Sequence, residues 1–393
     1  MRILLITDNH ARAGGAENYF FDLKTRLKNI DGLEVYSLGF GSTHTEGEDF
    51  IILKGVQSKF AKLIWQLFLH PRMYFTLRRH IKKIQPDIIH LHNIKQYTVS
   101  LLRAVQHLPV VQTVHDYSIL CPSAQNLHRD LTPCPTGVRA ACFWQHRLHH
   151  SLLTYLALTL AFLSRRKHVK KTVDTFLAPS PLLADYLRMN QLQRAVYIPP
   201  FKNQPKPAAF DAIQPYHFLF AGNLGVHKGI HILLEEFALA HQKNPQLTLT
   251  IAGTGREEKQ LRARVSELHL EKNIRFIGWQ KNLDEEYAKC AAVIFPSIGL
   301  ETFGLVMTEA MSHARPVLGS NRGTPPWVVN DGETGLIFDP VKKGDLAEKI
   351  LMLAGNMELI TRLGKNGEEK LRVFIDNEKV LGEIVGVYDE ETS

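Results

Sequence analysis

The stretch SIGLETFGLVMTEAMSHARPVLGS, residues 297–320, holds two carboxylates, Glu301 and Glu309, eight positions apart around Phe303, Gly304 and Leu305. Glu301 follows a strand-like run, and Phe303 and Gly304 open a helix. Unpaired amides at a helix start, with a glycine permitting close approach, suit a phosphate or a sugar oxygen. An ionised carboxylate beside phosphate is repelled unless it accepts from neutral hydroxyls, which is the work of an acid that binds sugar or ribose. Glu301 and Glu309 fit that chemistry; the plainer reading is a first-turn glutamate stabilising the helix dipole and a second one on the surface.

A cation stands in the second informative stretch, FAGNLGVHKGIHILLEEF, residues 220–237 with the preceding strand. Lys228 lies just before a helix that begins near Gly229. A lysine there opposes the helix dipole, so its placement calls for an anion between them, and a diphosphate satisfies both; an exposed lysine at a loop end is the alternative. Gly14 and Gly15 occupy the first strand-to-helix turn, but neither that turn nor IAGTGRE (251–257) completes the GxGxxG fingerprint. His115 in TVHDYSILCP sits at the carboxyl end of a strand, where open α/β sheets place ligands, while Asp116 reads first as a cap for the turn after it. Cys121, Cys134 and Cys142 with His146 are a candidate Cys3His zinc set, although no tight CxxC pair is present, and buried free thiols are the competing reading.

Elements must hold these groups in place. Short β-branched runs alternate with helix-length segments to about residue 340, the pattern of α/β proteins with parallel sheets. Strands are expected at 3–7, 35–40, 88–92, 110–114, 175–178 and 196–198, making one sheet. A second series is expected at 217–223, 247–253, 274–279, 292–297, 316–320 and 335–338. Between them, residues 199–216 contain five prolines and no apolar periodicity, and read as a linker. The expected organisation is an N-terminal Rossmann-like lobe over 1–200, a linker over 201–216, a second Rossmann-like lobe over 217–375 and a last helix over 376–393 that crosses back. An interlobe cleft is where such an arrangement places a ligand.

The composition fits a packed globular chain of two or three domains: 393 residues, 45% apolar and 22% charged. Four cysteines exclude a disulfide framework, Arg2 followed by ILLIT is unlike a signal segment, and the longest apolar run, 151–163, is too short to span a bilayer, so a reducing cytoplasmic location is expected. The net charge of +8 is uneven: residues 51–110 carry ten lysines and arginines against the single acid Asp87. Within them, residues 58–85 interleave Trp65, Phe68, Tyr74 and Phe75 with Lys59, Lys62, Arg72, Arg78, Arg79, Lys82 and Lys83. That mixture suits an anionic membrane surface, with a core-facing helix and solvated basic side as the alternative. No nucleic-acid-binding module is recognisable.

Taken together these residues resemble the retaining nucleotide-sugar glycosyltransferases of glycosyltransferase family 4, which have the two-lobed GT-B fold. The resemblance runs over nearly the whole chain and rests on GGAE (14–17), HLHN (90–93), TVHD (113–116), APS (178–180), the strand–loop–Lys–Gly element ending at Gly229, AGTG (252–255) and above all Glu301-x7-Glu309. It implies that the N-terminal lobe binds the acceptor and the second lobe the nucleotide sugar. Glu301 would hydrogen-bond the donor sugar, the amides of Phe303, Gly304 and Leu305 would contact sugar and diphosphate, and Glu309 would bind ribose. Lys228 would neutralise the diphosphate, Gly15 would let its loop approach, and His115 would contact the transferred sugar. Three departures stand out: Asn223 where the family has arginine, His227 before the lysine in place of glutamate, and Gly323-Thr324-Pro325-Pro326 in place of Gly-x-Pro-Glu. With one phosphate-binding charge absent, Lys228 carries more of the load.

The expected activity is transfer of a hexose-like unit from a nucleotide-diphosphate sugar, as co-substrate, to an acceptor hydroxyl on a glycan or lipid-linked acceptor, in cell-surface glycan or glycolipid synthesis. No Asp-x-Asp motif is present, so no metal or other cofactor is expected. The enzyme would be cytoplasmic and peripheral on the inner membrane face. The alternatives are another two-lobed sugar-nucleotide enzyme, an epimerase or phosphorylase, and a non-catalytic lobe serving as a partner.

Overall fold

A computed structural model describes residues 1–8, 14–41, 45–46, 50–122, 124, 126–128, 131–134, 142, 152–192, 194–204 and 210–393. The chain folds as two compact units, one holding 1–129, 134–201 and 377–393, the other 130–133 and 202–376.

In the first unit the elements run β1 (Arg2–Ile6), α1 (Gly15–Lys28), β2 (Glu34–Gly41), β3 (Thr45–Glu46), β4 (Phe50–Lys54), α2 (Lys59–Leu67), α3 (Pro71–Ile84), β5 (Ile88–Leu91), α4 (Thr98–Val105), β6 (Val110–Thr113), α5 (Leu152–Thr172), β7 (Thr175–Ala178), α6 (Pro181–Met189) and β8 (Ala195–Tyr197). The strands form one sheet in the order β3-β4-β2-β1-β5-β6-β7-β8. All pairings are parallel except β3 with β4. The central strands are buried along their length, as parallel strands covered on both faces must be. The sheet is larger than the six strands expected: β4 and the two-residue β3 join the edge beyond β2. A single short apolar run, FIIL, has no period by which to tell strand from helix, and pairing with β2 decides it. The basic stretch 58–85 is likewise two helices, broken at Phe68–His70, with Pro71 opening α3 and the His70 ring accepting from the Met73 amide at 3.1 Å.

The C-terminal helix, Asn377–Thr392, belongs to this unit. Its Tyr388 is fully buried, with the hydroxyl 2.5 Å from His90 Nδ1 on β5, and Glu391 accepts from Thr175 Oγ1 and pairs with Arg194 at 3.0 Å.

The second unit continues β9 (His217–Ala221), α7 (Ile230–Lys243), β10 (Thr248–Ala252), α8 (Glu258–Glu267), β11 (Ile274–Gly278), α9 (Asp284–Lys289), β12 (Ala292–Phe295), α10 (Leu305–Ser312), β13 (Val317–Ser320), α11 (Pro325–Val328), β14 (Gly335–Phe338), α12 (Asp345–Leu353) and α13 (Met357–Phe374). The strand order is β11-β10-β9-β12-β13-β14, all parallel, matching the six expected runs. Its core joins Phe218, Phe220, Leu233, Phe237 and Ile294. Residues 199–216 hold only a short 3-10 turn, Phe210–Ala212, among those described.

Each sheet reverses its winding beside its first strand, between β1 and β5 in one unit and between β9 and β12 in the other. Helices on either side of such a point diverge, and the loops at the strand carboxyl ends are left open for a ligand.

Removing the Tyr388 hydroxyl tests the tie to the C-terminal helix. Tyr388→Phe leaves His90 Nδ1 buried without that partner, and should cost about 1–3 kcal/mol of stability in urea unfolding. An unchanged midpoint would show that apolar packing and the Glu391 contacts hold the helix without this hydrogen bond.

Candidate functional site

At the switch point of the second unit, the loop after β9 and the loop after β12 meet. Ile298 and Gly299 amides both donate to the His227 carbonyl at 3.0 Å, stitching the loops together. Lys228, in the 3-10 turn Val226–Lys228, reaches Glu301 Oε1 at 2.8 Å, and Ser297 donates to the same oxygen at 2.6 Å. Gly229 makes this approach possible: it opens α7 at φ +69°, and a Cβ there would lie 1.9 Å from the Pro296 carbonyl oxygen. The glycines of AGTG serve packing too, since a Cβ on Gly253 would lie 1.8 Å from the Gly222 carbonyl oxygen. Lys228 therefore does not wait alone at a helix start; its ammonium is paired with one of the two carboxylates singled out by spacing.

Burial of Glu301 works against its charge, but Lys228, the His227 ring and the donations from Lys228 and Ser297 outweigh it and hold the carboxyl below its usual range. His227, pushed down to about 4 by burial and then by Lys228, stays neutral, with a buried Nδ1 that has no partner among the described residues. Glu301 is thus an anionic acceptor at neutral pH, suited to hydroxyl donors.

Phe303 is buried against Trp327, ring centroids 6.0 Å apart, and its carbonyl accepts from Thr324 Oγ1 at 2.8 Å. Gly304, at φ +90°, caps α10, and Leu305 is the first helical residue, one position later than expected. Gly304 has no side chain with which to cap this helix, and the Met307 amide turns back to the Gly304 carbonyl at 2.9 Å; a helix start of this kind suits an anion or a sugar oxygen. Glu309 lies one turn further on, with Oε2 accepting from the buried Tyr287 hydroxyl at 2.7 Å.

The first unit supplies a second cluster at its own switch point. His90 and His92, two apart at the end of β5, share a face and stack with centroids 4.4 Å apart. His92 Nδ1 lies 3.0 Å from His115 Nε2. Burial pushes His115 down to about 4 and His90 to about 3, and His92 well below its usual value, so all three rings are neutral. Asp116 caps the turn Tyr117–Ile119 by accepting from the Ser118 amide and takes Lys95 Nζ at 2.6 Å, which sets it in a structural role. Asp8, beyond β1, accepts from the Lys95 and Gln96 amides, and burial raises it to about 6. Gly15 opens α1 behind an extended Gly14.

Cys121, Cys134 and Cys142 are buried thiols; His146 lies outside the described residues, and among those described no group of three or more His, Cys, Asp or Glu side chains is placed to hold a metal ion. Ser297, Tyr287 and His313 belong to these clusters without any motif to mark their roles, and His92 lies in HLHN with no role assigned to it. Only His92 has a signal in the sequence, its two-residue spacing from His90 on a strand.

Comparison with known proteins places this geometry. Residues 13–201 match the sequence profile "Glycosyltransferase Family 4" and residues 206–370 match "Glycosyl transferases group 1". An uncharacterized glycosyltransferase of Methanocaldococcus jannaschii is 30% identical over 57% of this chain and 62% of its own length. The O-antigen chain mannosyltransferase C of Escherichia coli is 26% identical over 55% and 61%. The chain thus spans about three-fifths of the length of these two relatives. A phosphatidyl-myo-inositol mannosyltransferase of Mycobacterium leprae is matched over 96% of this chain and 93% of its own, at 24% identity. In fold, the chain resembles Anabaena HepE in complex with UDP and glucose, with a TM-score of 0.72 at 18% identity over 99% of this chain and 100% of that one. It also resembles the sucrose-phosphate synthase of Thermosynechococcus elongatus, with a TM-score of 0.74 at 20% identity over 99% and 98%.

The neutral histidines predict acid sensitivity. Their folded pKa values lie below the unfolded value, so between the two the unfolded chain binds more protons and stability falls as pH drops. At pH 5 a fully buried histidine of this kind removes up to about 2 kcal/mol. The unfolding midpoint should fall steeply from pH 7 to pH 5, and less so in His90→Gln; equal slopes in both proteins would show that other groups set the acid limit.

Proposed function

The chain belongs to glycosyltransferase family 4, with the GT-B fold, and we propose from that premise that it is a retaining enzyme transferring a sugar from a nucleotide-diphosphate donor to an acceptor hydroxyl. The observation that carries the reading is the pairing of Lys228 with Glu301 at the switch point, in the loop that leads into the N-terminus of α10. A lysine ammonium has three donors, so Lys228 can keep Glu301 and still donate to a phosphate oxygen. Glu301, held ionised, accepts from the donor sugar's hydroxyls, the amides at 303–305 take sugar and diphosphate oxygens, and Glu309 accepts from ribose.

In the reaction we infer, the bond from the sugar's anomeric carbon to the diphosphate breaks and a bond to the acceptor oxygen forms on the same face. The departing phosphate oxygen takes the acceptor's proton, and the nucleotide diphosphate leaves. Lys228 and the helix N-terminus stabilise the charge that develops on the leaving group, without a metal. The relatives' names, among them an O-antigen mannosyltransferase and a phosphatidyl-inositol mannosyltransferase, support a cell-surface glycan or lipid acceptor.

The first unit's charge supports a membrane location for that acceptor. On α3, Arg78, Arg79, Lys82 and Lys83 are exposed and line a groove of about 830 Å³ with Phe75. Phe60, Phe68 and Phe75 are all more than half exposed. No helix among the described residues is long and apolar enough to cross a membrane, so attachment would be peripheral, on the cytoplasmic face.

Incubation with nucleotide sugars and candidate acceptors in excess chelator should give acceptor-dependent release of nucleotide diphosphate. Glu301→Ala and Lys228→Ala should each lower it at least about tenfold, the loss of one charge-assisted contact. Near-normal turnover in both would overturn the site, and activity that returns only with magnesium would overturn the metal-independent reading.

The wild-type protein should also sediment with phosphatidylglycerol-rich vesicles at low salt. Each basic residue near such a surface contributes about 1 kcal/mol, so changing Arg78, Arg79, Lys82 and Lys83 to Gln should release it while sparing nucleotide binding. Failure of the wild type to sediment would make the patch a solvated face.

A further inference from the structure

Glu309 is gripped from behind by residues that no motif marks. Tyr287, on α9, is 2% exposed and gives its hydroxyl to Oε2 at 2.7 Å. Its ring stacks on His313 with centroids 4.8 Å apart and an interplanar angle of 25°. His313 Nδ1 lies 2.8 Å from the Glu309 carbonyl and Nε2 lies 2.9 Å from Asp284 Oδ1. The Ser312 hydroxyl lies 3.3 Å from the same Nδ1, so both ring nitrogens are held by polar neighbours. Arg315, 1% exposed, closes the assembly from below, donating to the carbonyls of Tyr287 at 2.9 Å and Ala288 at 2.8 Å. Helix α9 and the end of α10 are therefore locked as one body around a single carboxylate.

We propose that Tyr287 is a positioning residue for Glu309, held in turn by His313 and Asp284, and that by fixing one carboxylate oxygen it aims the group at a ribose hydroxyl and selects ribonucleotides over deoxynucleotides. The proposal rests on the reading that Glu309 accepts from the donor's ribose. A buried carboxylate with no fixed donor would rotate and would take up a proton readily. Burial does raise this one; the Tyr287 donation and His313 pull it back, and Asp284 pushes it up. A hydroxyl that donates to Oε2 sets the plane of the carboxylate and favours its ionised form, the form that accepts from ribose. A site built to pair with a hydroxyl rejects the ligand lacking it, because its buried acceptor is then left unpaired.

The test is calorimetric titration of the full chain with UDP and GDP and with their 2′,3′-dideoxy counterparts, from pH 5 to pH 8, using wild type, Glu309→Gln, Tyr287→Phe and Asp284→Asn. Wild type should prefer the ribonucleotide at least about tenfold, the worth of one hydrogen bond to a charged group, and Glu309→Gln should lose that preference. Tyr287→Phe keeps the ring and its stacking; it should lose most of the preference, and its ribonucleotide binding should fall away at higher pH than in wild type, since removing the donor raises Glu309 further. Asp284→Asn, altered at a half-exposed position, loosens His313 and should weaken the preference by less; it stands in if Tyr287→Phe does not fold. If Glu309→Gln loses the preference while Tyr287→Phe and Asp284→Asn both keep it, Tyr287 only packs and the inference fails alone. If wild type shows no preference, the ribose reading of Glu309 fails and the inference goes with it.

Discussion

The ion pair between Lys228 and Glu301 is the contact on which the chemistry proposed for the second unit depends. It joins two loops 73 residues apart in sequence, which a parallel sheet brings together only where its winding reverses, beside β9. The two opposite charges lie 2.8 Å apart with most of each side chain covered, and the carboxylate stays low in its range because the groups around it outweigh burial. The approach is allowed by one residue without a side chain, Gly229 against the Pro296 carbonyl. Charge, sheet topology and one backbone position at φ +69° therefore act as a single constraint.

The first unit follows a different rule at its own switch point. There three histidines are neutral and stacked: His90, His92 and His115 are kept uncharged by burial, with hydroxyls of Tyr388 and Thr113 on His90. The second unit thus pairs Lys228 with Glu301, and the first sets neutral rings beside its own Lys95–Asp116 pair. The Lys228 pair suits a charged diphosphate, and the neutral rings suit neutral hydroxyls.

Much of this could be read from residue order. Six strands of the second sheet followed from β-branched runs, and Glu301 and Glu309 from their spacing around Gly304. The features that escaped were set by tertiary contact. Phe50–Lys54 is a short apolar run that becomes a strand only by pairing with β2. Lys228 was legible as a cation at a helix start, but its partner was not, because the pairing is a property of strand order rather than of local sequence. No local pattern could have set Tyr388 against His90 either, since 298 positions separate them. Asp116 showed the reverse case: its capping role is local, and local sequence sufficed.

Lys228, braced by Glu301, is the cation proposed to receive a diphosphate. Calorimetric comparison of nucleoside diphosphate with nucleoside monophosphate binding, in wild type and Lys228→Met, tests it most directly. Wild type should prefer the diphosphate by at least about tenfold, and the preference should disappear in the variant, since one charge-assisted contact is lost. A preference that survives unchanged in Lys228→Met would show that the diphosphate is held elsewhere and that the pair with Glu301 is only structural.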